Sequence, residues 1–341
     1  MVQEYTRVSS ISIRGFRGIK SIEKNLIEGF KGINIFVGRN NSGKSTIIEA
    51  IYLATTLEKH DILDRIPLEY VIKRRGWYGI SVLQDIVYKK MDKASITAHY
   101  IDGSKISLEI ALYKKDTIEY RIFSQRATST LRLSFNSKGR TSGLIGVKEG
   151  RSNTVFIDWN LVSRFGLPEK VYSLLLEYGG KDAEEYLAKV FKTLYKGFEE
   201  FKTLKKGDQW VLSAIFTKYS IPIYLLGDGL RYTFSYIALL GSIENGVVVA
   251  EEPELHQHIG SLELLSEAIV KSFIERKNQL FITTHSLEFI DLMLERAKKY
   301  GAGQEFTVYR VYLKEGLLGY RRYSFKDALE LRKELELDLR F

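Results

Sequence analysis

The stretch GINIFVGRNNSGKSTIIEA, residues 32–50, decides the fold, because it changes from a strand-like to a helix-like pattern across a glycine-rich loop. The apolar run that ends at Val37 is bounded by glycines and predicts a buried strand. From Lys44 onward, KSTIIEAIYLATTLEKH has a helical period. Between them, Gly38 to Ser45 fit the pattern G-x-x-x-x-G-K-[ST], which holds nucleotide phosphates when it connects a strand to a helix.

The loop supplies each kind of group that phosphate binding needs. Its glycines let successive backbone N–H groups approach phosphate oxygens, and its lysine adds a positive charge. The helix presents its positive end, and the Ser45 hydroxyl is the expected magnesium ligand. The predicted nucleotide contacts are Gly38, Asn40, Asn41, Ser42, Gly43, Lys44, Ser45 and Thr46.

A second apolar run delivers acids to the edge of the same sheet. In GVVVAEEPELHQH the run from Val247 to Ala250 predicts a buried strand, and Glu251 and Glu252 follow it. We expect Glu251 to hold magnesium, directly or through water, and Glu252 to polarise the attacking water. The next strand ends in FITTHS, so His285 would lie at this edge and could hydrogen-bond a terminal phosphate.

Two other interpretations of these segments stay open. His256 and His258 could form a metal site with Glu254, since alternate positions of an extended segment face one way. Nothing else at ligand spacing supports such a site. His285 could be a packed residue without a function, as a lone histidine after an apolar strand often is.

Composition excludes several classes of protein. The 341 residues include no cysteine, which excludes a disulfide scaffold, a thiolate zinc site and a cysteine nucleophile. The chain shows no apolar signal core and no run long enough for a membrane span, so we expect a cytoplasmic protein with no membrane partner. The net charge of +9 is compatible with a nucleic-acid partner and equally with adaptation to heat.

The rest of the chain alternates between strand-like and helix-like patterns. The opening RVSSISIRGFRGIKSI alternates like a strand, and Ala94 to Trp159 indicates several strands with turn signals. Between Pro168 and Leu204 the pattern is helical, with an apolar stripe that includes Phe198 and Phe201. From GVVVAE onward strands and helices alternate, which predicts a parallel sheet in an α/β layer.

This order predicts a nucleotide-binding core that is interrupted by a long insertion. The core comprises residues 1–60 and 207–341, and residues 61–206 form a β-rich and helical lobe, a lid or a partner-docking surface. The apolar stripe of the lobe fits a packed core, and binding to a partner groove is the alternative. The basic run Lys73, Arg74 and Arg75 could bind DNA, or it could be solvated surface.

These residues resemble the ABC-type ATPase heads of the RecF, SMC and OLD proteins, and especially small stand-alone AAA-like ATP-binding proteins of archaea and bacteria. The resemblance rests on IRGFRGIK, the Walker A motif GRNNSGKS, the Walker B end EEPELHQH, and the histidine of FITTHS. It covers both ends of the chain. It implies an α/β P-loop NTPase of ABC-ATPase type, with a mixed sheet flanked by helices, and ATP and Mg²⁺ as cofactors.

The resemblance also implies roles for individual residues. Arg17 matches a nucleotide-contacting arginine, Glu252 the catalytic glutamate and His285 the switch residue, which with Lys44 gives the catalytic set. The segment LLGDGLRY lies where the family has its signature loop, which in a head-to-tail dimer faces the terminal phosphate of the partner's nucleotide. The predicted contacts of that loop are Gly227, Asp228, Gly229 and Arg231.

Three departures from the family pattern affect these assignments. Gly227, Asp228 and Gly229 replace the family's serine-glycine-glycine, and an acid beside phosphate is unfavourable unless Arg231 or a cation offsets it. Glu251 stands where aspartate is usual and is longer by one methylene. Gln257 and Ile259 interrupt a segment that otherwise matches at His258.

Two functions fit this sequence. The first is an ATPase that dimerises around nucleotide and drives a nucleic-acid transaction or an effector protein, in DNA repair or a defence-like role. The second is an ATP-gated binding module without turnover that regulates a separate nuclease or toxin. Steady-state phosphate release separates them, because only the first predicts turnover that depends on Lys44.

Overall fold

The computed structural model describes residues 7–76, 79–89, 91–125, 127–160, 167–255, 257–333 and 335–340, and these residues contain three β-sheets. Numbered along the chain, the strands are β1 (Val8–Arg14), β2 (Ser21–Ile22), β3 (Ile27–Glu28), β4 (Ile33–Val37), β5 (Lys93–Tyr100), β6 (Lys105–Lys114), β7 (Thr117–Phe123), β8 (Thr128–Phe135), β9 (Thr141–Ile145), β10 (Thr154–Ile157), β11 (Phe198–Lys206), β12 (Gln209–Phe216), β13 (Tyr219–Pro222), β14 (Val247–Glu251), β15 (Gln279–Thr283), β16 (Phe306–Lys314) and β17 (Leu317–Ser324).

The helices of the described residues surround one of these sheets. They are α1 (Lys44–Thr56), α2 (Pro67–Lys73), α3 (Leu167–Leu174), α4 (Gly180–Leu194), α5 (Asp228–Ser242), α6 (Ile259–Arg276), α7 (Leu287–Lys299) and α8 (Phe325–Lys333). Short 3₁₀ turns lie at Ile80–Ile86, Ile223–Leu225 and Gly303–Glu305, and a π-helical turn at Leu175–Gly179 separates α3 from α4. No helix in this part of the chain is both long and apolar enough to cross a membrane.

The core sheet has the order β10-β14-β15-β4-β16-β17-β2, which confirms the predicted mixed sheet of an α/β fold. From β10 to β16 all neighbours are parallel, and β17 returns antiparallel to β16. Parallel strands that are buried on both faces consist of continuous apolar runs, as in Val247–Ala250. In the register of this sheet Glu251 is opposite Thr283, and Thr283 is opposite Phe36, so the three carboxyl ends are level.

The side chains of β4 point alternately to the two faces of the core sheet, and each face carries one hydrophobic cluster. Ile33, Ile35 and Val37 pack with the helices α3 to α7. Phe36 points to the other face and packs with α1 and with strands of a second sheet. Helix α1 therefore lies between two sheets and is buried along nearly its whole length.

Residues 61–206, the predicted inserted lobe, share sheets with the rest of the chain. The second sheet has the order β3-β1-β5-β6-β7-β8-β9, so that five strands of the segment extend the N-terminal strand β1. Strand β10 is the edge of the core sheet, where it pairs with β14. The domain boundaries at residues 60 and 207 stay a prediction. Because β5 to β9 belong to the second sheet and β10 to the core sheet, strands of this segment lie on both sides of α1.

The helical prediction for 168–204 is wrong after Leu194. Residues Phe198–Lys206 form β11, which pairs antiparallel with β12 in a three-stranded sheet. A register shift between Phe198 and Glu200 is the reason for the error, because a bulge puts Phe198 and Phe201 on the same side. Both rings are buried in the cluster of the helical face, and their spacing of three imitates a helical stripe.

We predict that Gln279→Leu destabilises the fold by about 3 kcal/mol, because its side chain joins the two large sheets. Its Oε1 accepts from the N–H of Val8 at 2.9 Å, and its Nε2 donates to the carbonyls of Val8 and Lys31 at 2.8 and 3.0 Å. Urea denaturation measures the effect. The exposed Gln209→Leu is the matched control and should change stability little; equal stability of both variants would contradict the prediction.

Candidate functional site

The glycine-rich loop follows the path that its sequence predicts, from the end of β4 into α1. At Gly38, φ is +146° and an added Cβ would lie 2.3 Å from the carbonyl oxygen of Val311 in β16, so only glycine fits. Gly43 precedes the helix with φ +93°, and Asn41 also has a positive φ of 59°. Asn40 and Asn41 are exposed at the tip of the loop. This conformation places the loop at the N-terminus of α1, where an anion is favoured.

Lys44 and Ser42 are buried inside this loop. The Nζ of Lys44 donates to the carbonyls of Gly38 and Arg39 at 2.9 and 3.0 Å. Burial lowers the pKa of Lys44 to about 8, although the charges of Glu252, Glu251 and Glu254 act in the opposite direction. The Ser42 hydroxyl is buried without a hydrogen-bond partner, and Ser45 and Thr46 follow in the first turn of α1. A phosphate oxygen would supply the acceptor that the hydroxyl lacks.

Both predicted acids lie at the carboxyl end of β14, beside this loop. Glu251 is the last residue of the strand. Glu252 follows with φ +47°, and its N–H donates to the carbonyl of Thr283 in β15 at 2.9 Å. Burial and the negative charges of Glu254 and Glu251 raise the pKa of Glu252, against the opposing charge of Lys44. The structure therefore brings both acids together with the loop lysine.

His285 is the neighbour of Glu252. Its Nε2 lies 3.3 Å from Oε1 of Glu252. Burial and the positive charges of Lys44 and Arg340 lower the pKa of His285, so the neutral imidazole is favoured near neutral pH. The backbone of His285 is held on both sides, because its N–H donates to Glu254 and its carbonyl accepts from Arg340 at 2.8 Å. The sequence predicted the place of this histidine, and its role stays a prediction.

Glu254 holds the backbone of residues 284–286 in place. Its Oε1 accepts from the Thr284 hydroxyl at 2.6 Å and from the N–H groups of His285 and Ser286 at 3.0 and 3.3 Å. His258 caps α6 through its Nδ1, which accepts from the N–H of Gly260. Residue 256 lies outside the described residues. Among the described ones, no group of three or more histidines and acids converges to hold a metal ion.

Ser45 and Glu251 offer the oxygen ligands that magnesium prefers. Mg²⁺ is usually held by one or two protein oxygens together with substrate phosphates and water, so a cage of several acids is not required. A hydroxyl at the start of α1 and a carboxylate at the end of β14 are such a pair. The donor set fits Mg²⁺, and the assignment of these two ligands stays a prediction.

Arg17, the predicted nucleotide contact, is engaged in a buried charge network. Its Nε lies 2.7 Å from Glu49 of α1, a residue that the sequence analysis missed. Nη1 of Arg74 lies 2.7 Å from the same Glu49 carboxylate, and its Nε lies 3.0 Å from Asp158. Arg74 also donates a hydrogen bond to Glu251. The only sequence signal for Glu49 was an acid within the apolar face of the helix that follows the loop.

The basic run that we considered for DNA binding is largely occupied within the protein. Arg74 is 1% exposed, so it is not available to DNA. Lys73 pairs with Glu69 at 2.6 Å, and Arg75 lies 3.1 Å from Glu49 while its side chain is half exposed. The prediction of DNA binding is therefore wrong for Arg74. For Lys73 and Arg75 it stays a prediction, although both side chains pair with acids of the protein.

The first turn of α5 is attached to the acidic segment after β14. Gly227 precedes the helix, and Asp228 lies 3.2 Å from Arg231, which offsets its charge as the sequence analysis required. The Gln257 side chain accepts from the hydroxyl of Thr233 at 2.6 Å and donates to the carbonyl of Gly229 at 3.4 Å. Gln257 thus connects the start of α5 to the segment that carries Glu252, and the predicted contacts Asp228, Gly229 and Arg231 lie in the first turn of that helix.

Comparison with known proteins agrees with this geometry. A model of the family described as AAA ATPase domain matches residues 7–203 and 169–290. An uncharacterized protein of Methanocaldococcus jannaschii is 34% identical over 115 residues, which are 34% of this chain and 99% of that protein. A Helicobacter pylori protein called ATP/GTP phosphatase is 21% identical over 336 residues, or 84% of this chain and 87% of that protein.

The fold is also that of a solved structure. The crystal structure of the SmcHead bound to the C-winged helix domain of ScpA superposes with a TM-score of 0.55 at 14% identity. It covers 94% of this chain and 99% of the solved chain. Together these matches confirm the resemblance to ATPase heads of the RecF and SMC group and the predicted fold class.

We predict that Lys44 takes up protons when ATP binds at pH 8, and that it takes up none when ATP binds at pH 6. The pKa of Lys44 is about 8, so part of the population is uncharged at pH 8, and phosphate charge restores the ammonium. ATP affinity should accordingly fall as the pH rises above 8. Calorimetry in buffers of different ionisation enthalpy measures the uptake.

The control for this titration is Lys44→Arg, which keeps a charge that does not titrate in this range. The variant should bind ATP without the uptake at pH 8. An equal uptake in both proteins would assign it to another group and contradict the prediction.

Proposed function

The chain belongs to the AAA ATPase domain family, and from that premise we propose a magnesium-dependent ATPase that dimerises around nucleotide and acts on a partner. ATP binding and hydrolysis follow from the family, while the metal, the dimer, the residue roles and the coupling are the proposal. The observation that carries it is the position of Glu252 and His285, 3.3 Å apart, at the sheet edge where the phosphate loop begins.

The phosphate loop is proposed to bind the triphosphate. Backbone N–H groups between Gly38 and Thr46 would point at the phosphates, as the positive φ angles of Gly38 and Gly43 support. Lys44 would exchange its contacts with two loop carbonyls for phosphate oxygens. Bound magnesium would neutralise charge on the outer phosphates, with Ser45 and Glu251 as its protein ligands.

Glu252 is proposed to orient and polarise the attacking water. A general base works best when its pKa approaches the operating pH, and burial beside two other acids moves the pKa of Glu252 in that direction. His285 would donate from Nε2 to the carboxylate or to the terminal phosphate, and Glu254 would hold its backbone in place. The three residues therefore act as one unit at the ends of two adjacent strands.

The segment Gly227–Arg231 is proposed to face the nucleotide of a second copy of the chain. Its position at the start of α5 would direct backbone N–H groups at a phosphate, and Arg231 reduces the repulsion from Asp228. Through Gln257, closure of the dimer would be linked to the segment of Glu252. The SmcHead, which shares this fold, was crystallised with a domain of a partner protein.

By this analogy of fold, we propose that opening and closing of the dimer drives an effector protein or a nucleic-acid transaction. A role in DNA repair or in a defence-like system fits that description. Arg74 does not supply the nucleic-acid surface, because it is buried and its charge is paired within the protein.

We predict that Glu252→Gln lowers steady-state phosphate release at least about 100-fold while ATP binding is retained, since the amide cannot accept a proton from water. With ATP and magnesium the variant should elute from gel filtration as a dimer, because it closes around nucleotide and does not open. Phosphate release and light scattering on the same samples measure the two effects.

Glu244→Gln is the matched control, since this exposed acid lies near the opposite, amino end of β14. It should keep both turnover and the exchange between monomer and dimer. Turnover of Glu252→Gln at the wild-type rate would contradict the catalytic role, and elution of Glu252→Gln only as a monomer would contradict the dimer.

A further inference from the structure

The feature that the proposed function leaves unexplained is the complete burial of Arg74 beside Glu251. The arginine side chain is 1% exposed, and moving a guanidinium out of water costs several kcal/mol unless acids compensate it. Ion pairs at such depth contribute little net stability compared with apolar packing. A buried arginine at the edge of a nucleotide site therefore indicates a role in that site.

Arg74 is held by two acids other than Glu251. Nη1 lies 2.7 Å from Glu49, on α1 roughly one turn beyond Ser45, and Nε lies 3.0 Å from Asp158, just after β10. Both of these carboxylates are at most 1% exposed. The guanidinium also lies over the ring of Phe156, with Cζ 4.5 Å from the centroid. Its plane and its direction are fixed by these contacts.

The remaining nitrogen, Nη2, donates to Oε2 of Glu251. The other oxygen, Oε1, lies 3.9 Å from the nearest guanidinium nitrogen of Arg75, which is beyond hydrogen-bond distance. Only 16% of the Glu251 side chain is exposed, so a rigid donor on one oxygen restricts the rotation of the carboxylate. The two oxygens of Glu251 are thus unequal, one taken by Arg74 and one left for another partner.

We propose that Arg74 is a positioning residue for the magnesium ligand Glu251, an inference that rests on the proposed function. Arg74, anchored by Glu49 and Asp158, holds Oε2 and leaves Oε1 for the ion or for a water molecule on it. Donors that orient a ligating carboxylate from behind commonly change metal affinity 10- to 100-fold when they are removed. The arrangement ties the metal ligand to α1, the helix that also presents Ser45.

Arginine is the residue that this geometry requires. Three of its nitrogens address three different carboxylates, and a planar guanidinium can present donors in several fixed directions at once. A lysine ammonium in the same place would keep the charge without the fixed directions. Arg75, which is half exposed and shares Glu49 at 3.1 Å, compensates charge but does not orient Glu251.

The test compares Arg74→Gln with Arg65→Gln in the full chain. Arg65 is the matched control, because it is also a buried arginine with an acid, Asp61, at 2.6 Å from its Nε, and within the described part of the chain it forms no hydrogen bond or ion pair with Glu251. Two quantities are measured: the Mg²⁺ concentration for half-maximal phosphate release, and the gain in affinity for a non-hydrolysable ATP analogue when Mg²⁺ replaces EDTA, by calorimetry.

For Arg74→Gln we expect the required Mg²⁺ concentration to rise about 10- to 100-fold and the Mg²⁺-dependent gain in affinity to fall by a similar factor. Analogue affinity in EDTA should stay within about twofold. Arg65→Gln should lower thermal stability, because the buried Asp61 loses its arginine, but should keep the Mg²⁺ dependence of the wild type. An unchanged Mg²⁺ dependence of Arg74→Gln, or an equal change in Arg65→Gln, would overturn the proposal.

Two further variants keep the test decisive. If Arg74→Gln does not fold, Asp158→Asn loosens the arginine from the far side and should raise the Mg²⁺ requirement several-fold, and no rise would overturn the proposal. Glu251→Asp should raise the requirement in the wild type but add little to Arg74→Gln, because the contact is already lost. If the effects of the two substitutions on the Mg²⁺ requirement simply add, the two residues act independently, and the proposal is overturned.

The outcome separates this inference from the proposed function. A wild-type protein that gains no affinity from Mg²⁺ would refute magnesium dependence itself, whatever the variants do. A wild-type protein that depends on Mg²⁺, together with an Arg74→Gln variant that depends on it equally, would refute only the role of Arg74.

Discussion

The parallel register of β4, β15 and β14 is the constraint on which the rest of the structure depends. The three strands are buried on both faces, and a slip of one residue would turn every apolar side chain to the wrong face. With this register fixed, Glu251, Thr283 and Phe36 are level. The phosphate loop, the two acids and the histidine then converge because each follows directly after its strand.

Such a convergence of acids has an electrostatic cost, and the arginine network offsets it. Glu49, Asp158 and Glu251 lie together in a region with little access to water, where unpaired carboxylates are strongly unfavourable. Arg17, Arg74 and Arg75 match them in number. At the edge of the sheet Arg74 pairs with Glu251, while burial and the charges of Glu254 and Glu251 raise the pKa of Glu252.

The sequence predicted those parts of the site that follow from local pattern. The loop between β4 and α1, and the acids after β14, are each determined by a few consecutive residues whose spacing is characteristic. The arginine network could not be predicted in this way, because Arg17, Glu49, Arg74, Asp158 and Glu251 come from separate segments that only the two sheets around α1 bring together. Arg74 in particular appears in the sequence as one residue of an ordinary basic run.

In the fold, too, the features set by local sequence could be predicted, and those set by contacts between distant segments could not. Strand and helix order in the last third follows from periodicity, and β14 to α8 lie where it indicates. The error at Phe198 arose because a bulge changes the period of a strand, and a bulge depends on pairing with β12, which a single segment does not reveal. The sharing of sheets by residues 61–206 is likewise a matter of strand pairing between distant segments.

The most direct test of the central claim is a crystal structure with Mg²⁺ and a non-hydrolysable ATP analogue. The account predicts phosphate oxygens at the N–H groups of residues 41–46 and at Lys44, with Mg²⁺ between Ser45 and Glu251 and with Arg74 still bound to the other oxygen of Glu251. A triphosphate bound elsewhere, or a metal ion that Glu251 does not approach directly or through water, would contradict it.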